Sequence, residues 1–287
     1  MADVIVNGRS IAQELAAVSI LDRGFRFGDG VFETIAVHGG VPYQFEWHMD
    51  RMAQGLAAIK IAFDTSILKA HTRALLAANQ LSDGIVRIQV TRGIGSKGYL
   101  PDSADPNAGP CYVLETRAMP AITKNPVALW QSTYSKPSPK SLPVQFKLCQ
   151  GLNSTLARME AEENQCADAL LSNEQKHLCE TSSGNLFWLK DKILFTPSLA
   201  CGVLNGAMRS VIMRLSPWKV QEVEATAGQM TRADAVLISN VVWKVLPVGA
   251  LKPQGLQWNS EAAASQLLEL INADIAQYTQ QHLSSWR

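Results

Sequence analysis

Two residues near the middle of the chain have side chains and settings suited to covalent and proton-transfer chemistry. Lys147 sits in the apolar run Val144-Gln-Phe-Lys-Leu-Cys149, shortly before a helical pattern. A lysine in such a run either keeps its charge in water at the end of an apolar stem or is desolvated. Desolvation disfavours the ammonium form and leaves an amine that attacks carbonyls. Glu180 closes the run His177-Leu-Cys-Glu180 and precedes Thr181-Ser-Ser-Gly-Asn185. A carboxylate there either caps a turn or accepts a proton-bearing nitrogen.

Three glycine-rich segments add candidate binding sites. Gly93-Ile-Gly95-Ser-Lys-Gly98 matches G-x-G-x-x-G, but Pro101 and Pro106 follow where a dinucleotide-binding helix must start. A dinucleotide site is therefore not expected. Arg92 and Lys97 still make the loop a candidate border for a carboxylate pocket. Gly202-Val-Leu-Asn-Gly206-Ala-Met-Arg209 leads into a helical pattern, and unpaired amides at such a start can seat a phosphate. Phe27-Gly-Asp-Gly-Val-Phe-Glu-Thr34 places two glycines directly before a strand, which suggests close backbone approach.

Other chemistries are not supported. The five histidines are scattered, with no paired ligand spacing, so no metal site is expected. No G-x-S-x-G elbow occurs. The five cysteines (111, 149, 166, 179, 201) are odd in number and widely spaced, as expected of thiols in a reducing cytoplasm. Lys plus Arg is 26 and Asp plus Glu is 25, so a nucleic-acid partner is not indicated. No apolar run approaches the roughly 20 residues that span a bilayer, and the start lacks a basic-then-apolar leader pattern. A cytoplasmic protein with no membrane partner is expected.

The elements that must position these residues alternate in type. Residues 31–37 read as a strand that turns at Gly39-Gly40 and returns over 42–45. Helices are predicted over 48–59 and 66–79, the second with Ser66 as N-cap. Strands are predicted at 85–90, 111–116, 127–132, 169–172, 177–181, 186–189, 193–195 and 235–238, and helices at 154–165, 206–215 and 261–278. Pro120 and Pro126 mark 119–126 as a linker, leaving an N-terminal α/β domain over 1–118 and a C-terminal domain over 127–287.

Taken together, the ordered motifs resemble the class IV fold of pyridoxal-phosphate enzymes. The motifs are Asp22-Arg23 with the 27–34 segment, His48-Met-Asp-Arg51, Lys147, Ala157-Arg-Met-Glu-Ala161, Glu180-Thr-Ser-Ser-Gly-Asn-Leu-Phe187, Thr196-Pro197 and Gly206-Ala-Met-Arg209. The resemblance implies an α+β, two-domain fold: a small α/β domain and a larger barrel-like domain, with pyridoxal 5'-phosphate between them. It implies Lys147 as the Schiff-base lysine and proton shuttle, and Glu180 as partner of the ring nitrogen. It implies Arg51 and the amides of Ala207 and Met208 on the cofactor phosphate, and Ser239 and Asn240 as further contacts. It also implies a homodimer.

Within the family, Arg92-Gly-Ile-Gly-Ser-Lys-Gly-Tyr99 and the 239–248 segment look like the aminodeoxychorismate lyase branch. That branch splits its amine substrate into para-aminobenzoate, a folate precursor, and pyruvate. Thr34 would be a catalytic contact, and Phe32, Arg92 and Lys97 would face the substrate. Lys97 stands where the branch has arginine, and Glu33 is typical of the aminotransferases. The alternative is an aminotransferase on D-amino or branched-chain amino acids.

Overall fold

The computed structural model describes residues 2–95, 98–101, 109–123 and 125–286. By contacts the chain divides into two compact units. The first comprises Met1–Pro120, Phe146–Gln150 and Ile275–Arg287; the second comprises Ala121–Gln145 and Gly151–Asp274. The linear partition at 119–126 thus differs from the structure in two places: the segment bearing Lys147 and the C-terminal end both belong to the first unit.

The first unit contains β1 (Asp3–Val6), β2 (Arg9–Ala12), α1 (Arg23–Phe27), β3 (Gly30–His38), β4 (Val41–Pro42), α2 (Phe45–Ala58), α3 (Ile67–Ala78), β5 (Gly84–Thr91) and β6 (Cys111–Arg117). Its antiparallel sheet has the order β2-β1-β6-β5-β3-β4. Val31, Ile35 and Val37 alternate along β3 into a core shared with Met49, Met52 and Leu56 of α2 and Leu68 and Leu75 of α3. Period-2 and period-3.6 patterns meet there, as a sheet covered by helices requires.

The return strand is shorter than expected, because Phe45 opens α2 instead of ending β4. Ser66 does not cap α3. Its backbone is already helical, and its N–H donates to Asp64 Oδ1 at 2.9 Å. The β1–β2 hairpin was passed over by the periodicity reading, although Asn7-Gly8 is the ordinary two-residue turn signal.

The two glycines before β3 are explained by the chain's own backbone. Gly28 has φ +68° and closes α1, and a Cβ on Gly30 would lie 2.5 Å from the Val90 carbonyl oxygen. The close approach is to the neighbouring strand.

The second unit contains β7 (Val127–Ser135), α4 (Leu152–Glu163), β8 (Asp168–Ser172), β9 (Leu178–Thr181), β10 (Asn185–Lys190), β11 (Ile193–Pro197), α5 (Ala207–Leu215), β12 (Lys219–Val223), α6 (Ala227–Met230), β13 (Ala235–Asn240), β14 (Lys244–Lys252) and β15 (Leu256–Gln257). Helix α7 (Glu261–Trp286) begins there, and its residues from Ile275 onward belong to the first unit. The pairing β10-β13-β14-β7-β8-β9 returns to β10, closing a barrel. Leu129, Leu170, Leu186, Val236, Ile238 and Val248 form its core. Strand β14 was not predicted, because Pro247 and Gly249 interrupt its apolar run. The register against β7 shifts between Val248 and Ala250, which accommodates that interruption. Among the described residues no helix is long and apolar enough to cross a membrane.

Candidate active site

Each unit carries its own set of functional groups. In the first unit, Phe32 and Thr34 lie on the β3 face opposite the helix-covered core, across from Gln89 and Arg87 of β5. Lys147 lies outside regular structure, on a segment tied to the start of β3. The Phe32 N–H donates to the Lys147 carbonyl at 2.9 Å, and the Cys149 N–H donates to the Gly30 carbonyl at 2.9 Å. This backbone pairing sets Lys147 Nζ 4.6 Å from the Phe32 ring centroid. The Arg87 guanidinium carbon is 4.0 Å from the same centroid. Two cations therefore address one aromatic ring. Among the described residues, the acceptors near Arg87 are Glu115 Oε1 at 3.8 Å and Gln89 Oε1 at 3.4 Å.

Glu33 points the other way, into the core, and is 1% exposed. Arg51 on α2 donates to it through Nε at 2.7 Å and Nη2 at 2.5 Å, and His48 Nδ1 lies 2.6 Å away. Burial alone would push the Glu33 carboxyl up; Arg51 above all, and then His48, outweigh it and bring it down to about 2. Burial holds His48 below the usual histidine range against the pull of Glu33, with Arg51 and Lys147 adding to the depression. Arg51 thus presents its Nε and Nη2 edge to Glu33. Glu33 shares the core-facing side of β3 with Val31 and Ile35; sequence reasoning noted it only as typical of the aminotransferases.

Arg92 is engaged by groups of the first unit. Its Nε and Nη2 grip Asp29 at 2.8 and 2.9 Å, and Nη1 and Nη2 donate to the carbonyls of Lys60 and Ile59. Arg23 holds the other side of Asp29. The two guanidiniums keep the Asp29 carboxyl below its ordinary value against burial. Arg92 fixes the loop after β5 to the end of α2. Lys97 lies outside the described residues.

In the second unit, Glu180 is near the end of β9, paired across the barrel seam with Asn185. Its carboxylate is buried and accepts three hydrogen bonds. Lys136 Nζ donates to Oε1 at 2.7 Å; Asn185 Nδ2 and the Leu204 N–H donate to Oε2 at 2.9 and 3.0 Å. The turn after it is tied down by Asp168, which accepts from the hydroxyls of Ser182 and Ser183.

Asn185 also touches the start of α5. A Cβ on Gly206 would fall 2.0 Å from Asn185 Oδ1, so only glycine lets the helix begin there. No side chain caps α5. The first amides, including those of Ala207 and Met208, therefore have no intrahelical acceptor. Ser239, opposite Asn185 on β13, is fully buried, with a hydroxyl that has no hydrogen-bond partner among the described residues. Asn240 instead shapes its own turn. It donates to the Ser183 carbonyl at 3.1 Å and accepts from the N–H groups of Val242 and Trp243.

An uncapped helix start, an orphaned hydroxyl and a buried carboxylate with one acceptor position to spare fit a ligand with a phosphate and a protonated ring nitrogen. Sequence reasoning found the helix start, Ser239 and Glu180. It missed Lys136, which lies in a Ser/Pro/Lys loop without periodicity, and Arg87, one polar residue in an alternating strand.

Comparison with known proteins agrees with this chemistry. Residues 30–251 match the family model for amino-transferase class IV. The chain is 28% identical to the aminodeoxychorismate lyase of Bacillus subtilis (strain 168), over 92% of both chains. It is 29% identical to a D-alanine aminotransferase of Listeria monocytogenes serotype 4b (strain F2365), over 85% of this chain and 86% of that one. The crystal structure of 4-amino-4-deoxychorismate lyase from Pseudomonas aeruginosa superposes with a TM-score of 0.83 at 28% identity, covering 95% of this chain and 99% of that one.

Proposed function

Because this chain belongs to the class IV aminotransferase family, and so to the pyridoxal-phosphate-dependent enzymes, we propose that it is a cytoplasmic aminodeoxychorismate lyase. The observation that carries this reading is the shared Phe32 ring. The Lys147 amine and the Arg87 guanidinium both address it, on a face that also bears Thr34. A substrate with two carboxylates and a ring amine needs such a face: a cation for a carboxylate, an apolar plate for the ring and an amine for the proton.

Pyridoxal phosphate, when bound, supplies a carbonyl for the substrate amine and a protonated ring that takes up electron density. Glu180 would accept the ring N–H, and the amides of Ala207 and Met208, with Ser239 and Arg51, would hold the phosphate. Lys147 would be the residue that attaches the cofactor, and its free amine would remove the proton from the substrate ring carbon that bears the nitrogen. The carbon–oxygen bond to the enolpyruvyl group then breaks, the departing enol takes up a proton as pyruvate, and the ring is left aromatic. Arg87 orients a carboxylate, Thr34 offers a hydroxyl beside it, and Lys97 is a further carboxylate contact.

Cofactor-loaded protein given aminodeoxychorismate should release para-aminobenzoate at a rate on the order of 1 per second or faster. No product from protein that holds its cofactor overturns the lyase reading. The second reading, an aminotransferase, is favoured by the 29% identity to the Listeria D-alanine aminotransferase. It requires keto-acid formation from a D- or branched-chain amino acid with the cofactor left in its pyridoxamine form.

We also propose a homodimer. Ile20, Phe25, Tyr99 and Leu100 of the first unit are 77, 72, 87 and 83% exposed, apolar side chains that a second copy could cover. Sedimentation should give roughly twice the 31.3 kDa chain mass. A monomer at micromolar concentration would sink this proposal.

A further inference from the structure

Lys136 follows β7 directly, and its N–H donates to the Ser172 carbonyl at the end of β8 at 3.0 Å. Its stem is therefore anchored before its charge is used. The ammonium reaches Glu180 Oε1 at 2.7 Å, with side chains only 11% and 7% exposed. A buried carboxylate without a counter-charge is strongly disfavoured. The other two donors to Glu180, Asn185 and Leu204, are neutral and both use Oε2. Lys136 is thus the one cation on this carboxylate among the described contacts, and it sits on the oxygen with the fewest donors.

We propose that Lys136 is a positioning residue for Glu180, one that holds Oε1 and competes for it with the protonated ring nitrogen of pyridoxal phosphate. The inference rests on Glu180 being the ring-nitrogen acceptor. Two cations on one carboxylate oxygen repel each other in a site shielded from water. Lys136 therefore weakens the ring contact relative to an unshared carboxylate, and it keeps the empty site from collapsing around an unpaired charge. Once the ring N–H is present, it takes over part of the counter-ion role.

The test compares thermal upshifts on cofactor addition, within each variant. Lys136→Met removes the charge and keeps the stem. Its cofactor-free protein should melt lower than the parent, and its upshift with pyridoxal phosphate should exceed the parental upshift by at least about 3 °C. Lys136→Arg should restore the parental upshift. The 1-deaza analogue, with C–H in place of the ring nitrogen, should give Lys136→Met no such excess.

A purely structural lysine lowers the cofactor-free and loaded melts equally and leaves the upshift unchanged, which overturns the proposal. It is likewise rejected if Lys136→Met and Lys136→Gln both fail to fold with or without cofactor. Failure of the underlying reading looks different. There, the parent shows equal upshifts with pyridoxal phosphate and the deaza analogue, so that Glu180 does not sense the ring nitrogen at all.

Discussion

Lys147→Ala protein should make para-aminobenzoate at least about 10³-fold more slowly than the parent, with little change in melting temperature. The size follows from removing both the covalent tether and the base, since a positioned proton-transfer group alone contributes roughly 10²- to 10⁴-fold. The fold should tolerate the change because Lys147 is held through its backbone. Its carbonyl accepts from Phe32, and its neighbours Leu148 and Cys149 pair with Val31 and Gly30. Alanine keeps every one of these bonds. Borohydride treatment of the loaded parent should fix the cofactor covalently to a peptide containing Lys147, and the variant should release it on denaturation. Turnover by Lys147→Ala within tenfold of the parent would remove Lys147 from the chemistry.

Loss of Glu33 should be the largest single blow to stability. Glu33→Ala leaves Arg51 and its charge buried without the carboxylate that accepts both Nε and Nη2. Orphaning one member of such a pair costs roughly 3–5 kcal/mol, which lowers the melting temperature by about 10 °C in a protein of this size.

The same pair makes an acid-sensitivity prediction. The Glu33 carboxyl is at about 2 in the folded protein against an ordinary 4.5, so folding favours its ionised form. That stability is fully present above pH 4.5 and disappears as pH falls toward 2, amounting to about 3 kcal/mol. His48, depressed by burial from 6.5, adds to the loss in the same direction on acidification, because the unfolded chain takes up its proton first. Glu33→Gln should flatten the pH dependence between 4.5 and 2, and Arg51→Met added to it should recover part of the lost stability by removing a buried charge that has lost its carboxylate. Chemical denaturation at several pH values measures all of this. A Glu33→Gln protein with the parental acid profile would show that the carboxylate is not the group being titrated.

Features that depend on near neighbours are legible in the sequence as candidates. Lys147, Glu180 and the Gly206 helix start are read from short motifs, because an apolar flank, a strand end and an uncapped helix depend on residues a few positions away. The same holds for β3, α2 and the Gly39-Gly40 turn, where periodicity and positive φ are local properties. The cofactor family followed from the order of these motifs, and the match over residues 30–251 agrees with it.

Tertiary structure decided the rest. Arg92 is a candidate carboxylate grip in the sequence, and the fold gives it a carboxylate of the chain itself, Asp29, 63 positions earlier. Lys136 carried no local signal, and only the closure of β7, β8 and β9 brings it to Glu180, 44 positions later. Glu33 carries only a family likeness in the sequence, and its burial and its partners Arg51 and His48 come from the packing of α2 on β3. Residues 146–150 and 275–287 join the first unit against their place in the chain. The physical reason is common to all four. A side chain's charge becomes binding, catalytic or structural according to which opposite charge shares its water-free surroundings, and strand pairing and helix packing choose that partner across tens of residues.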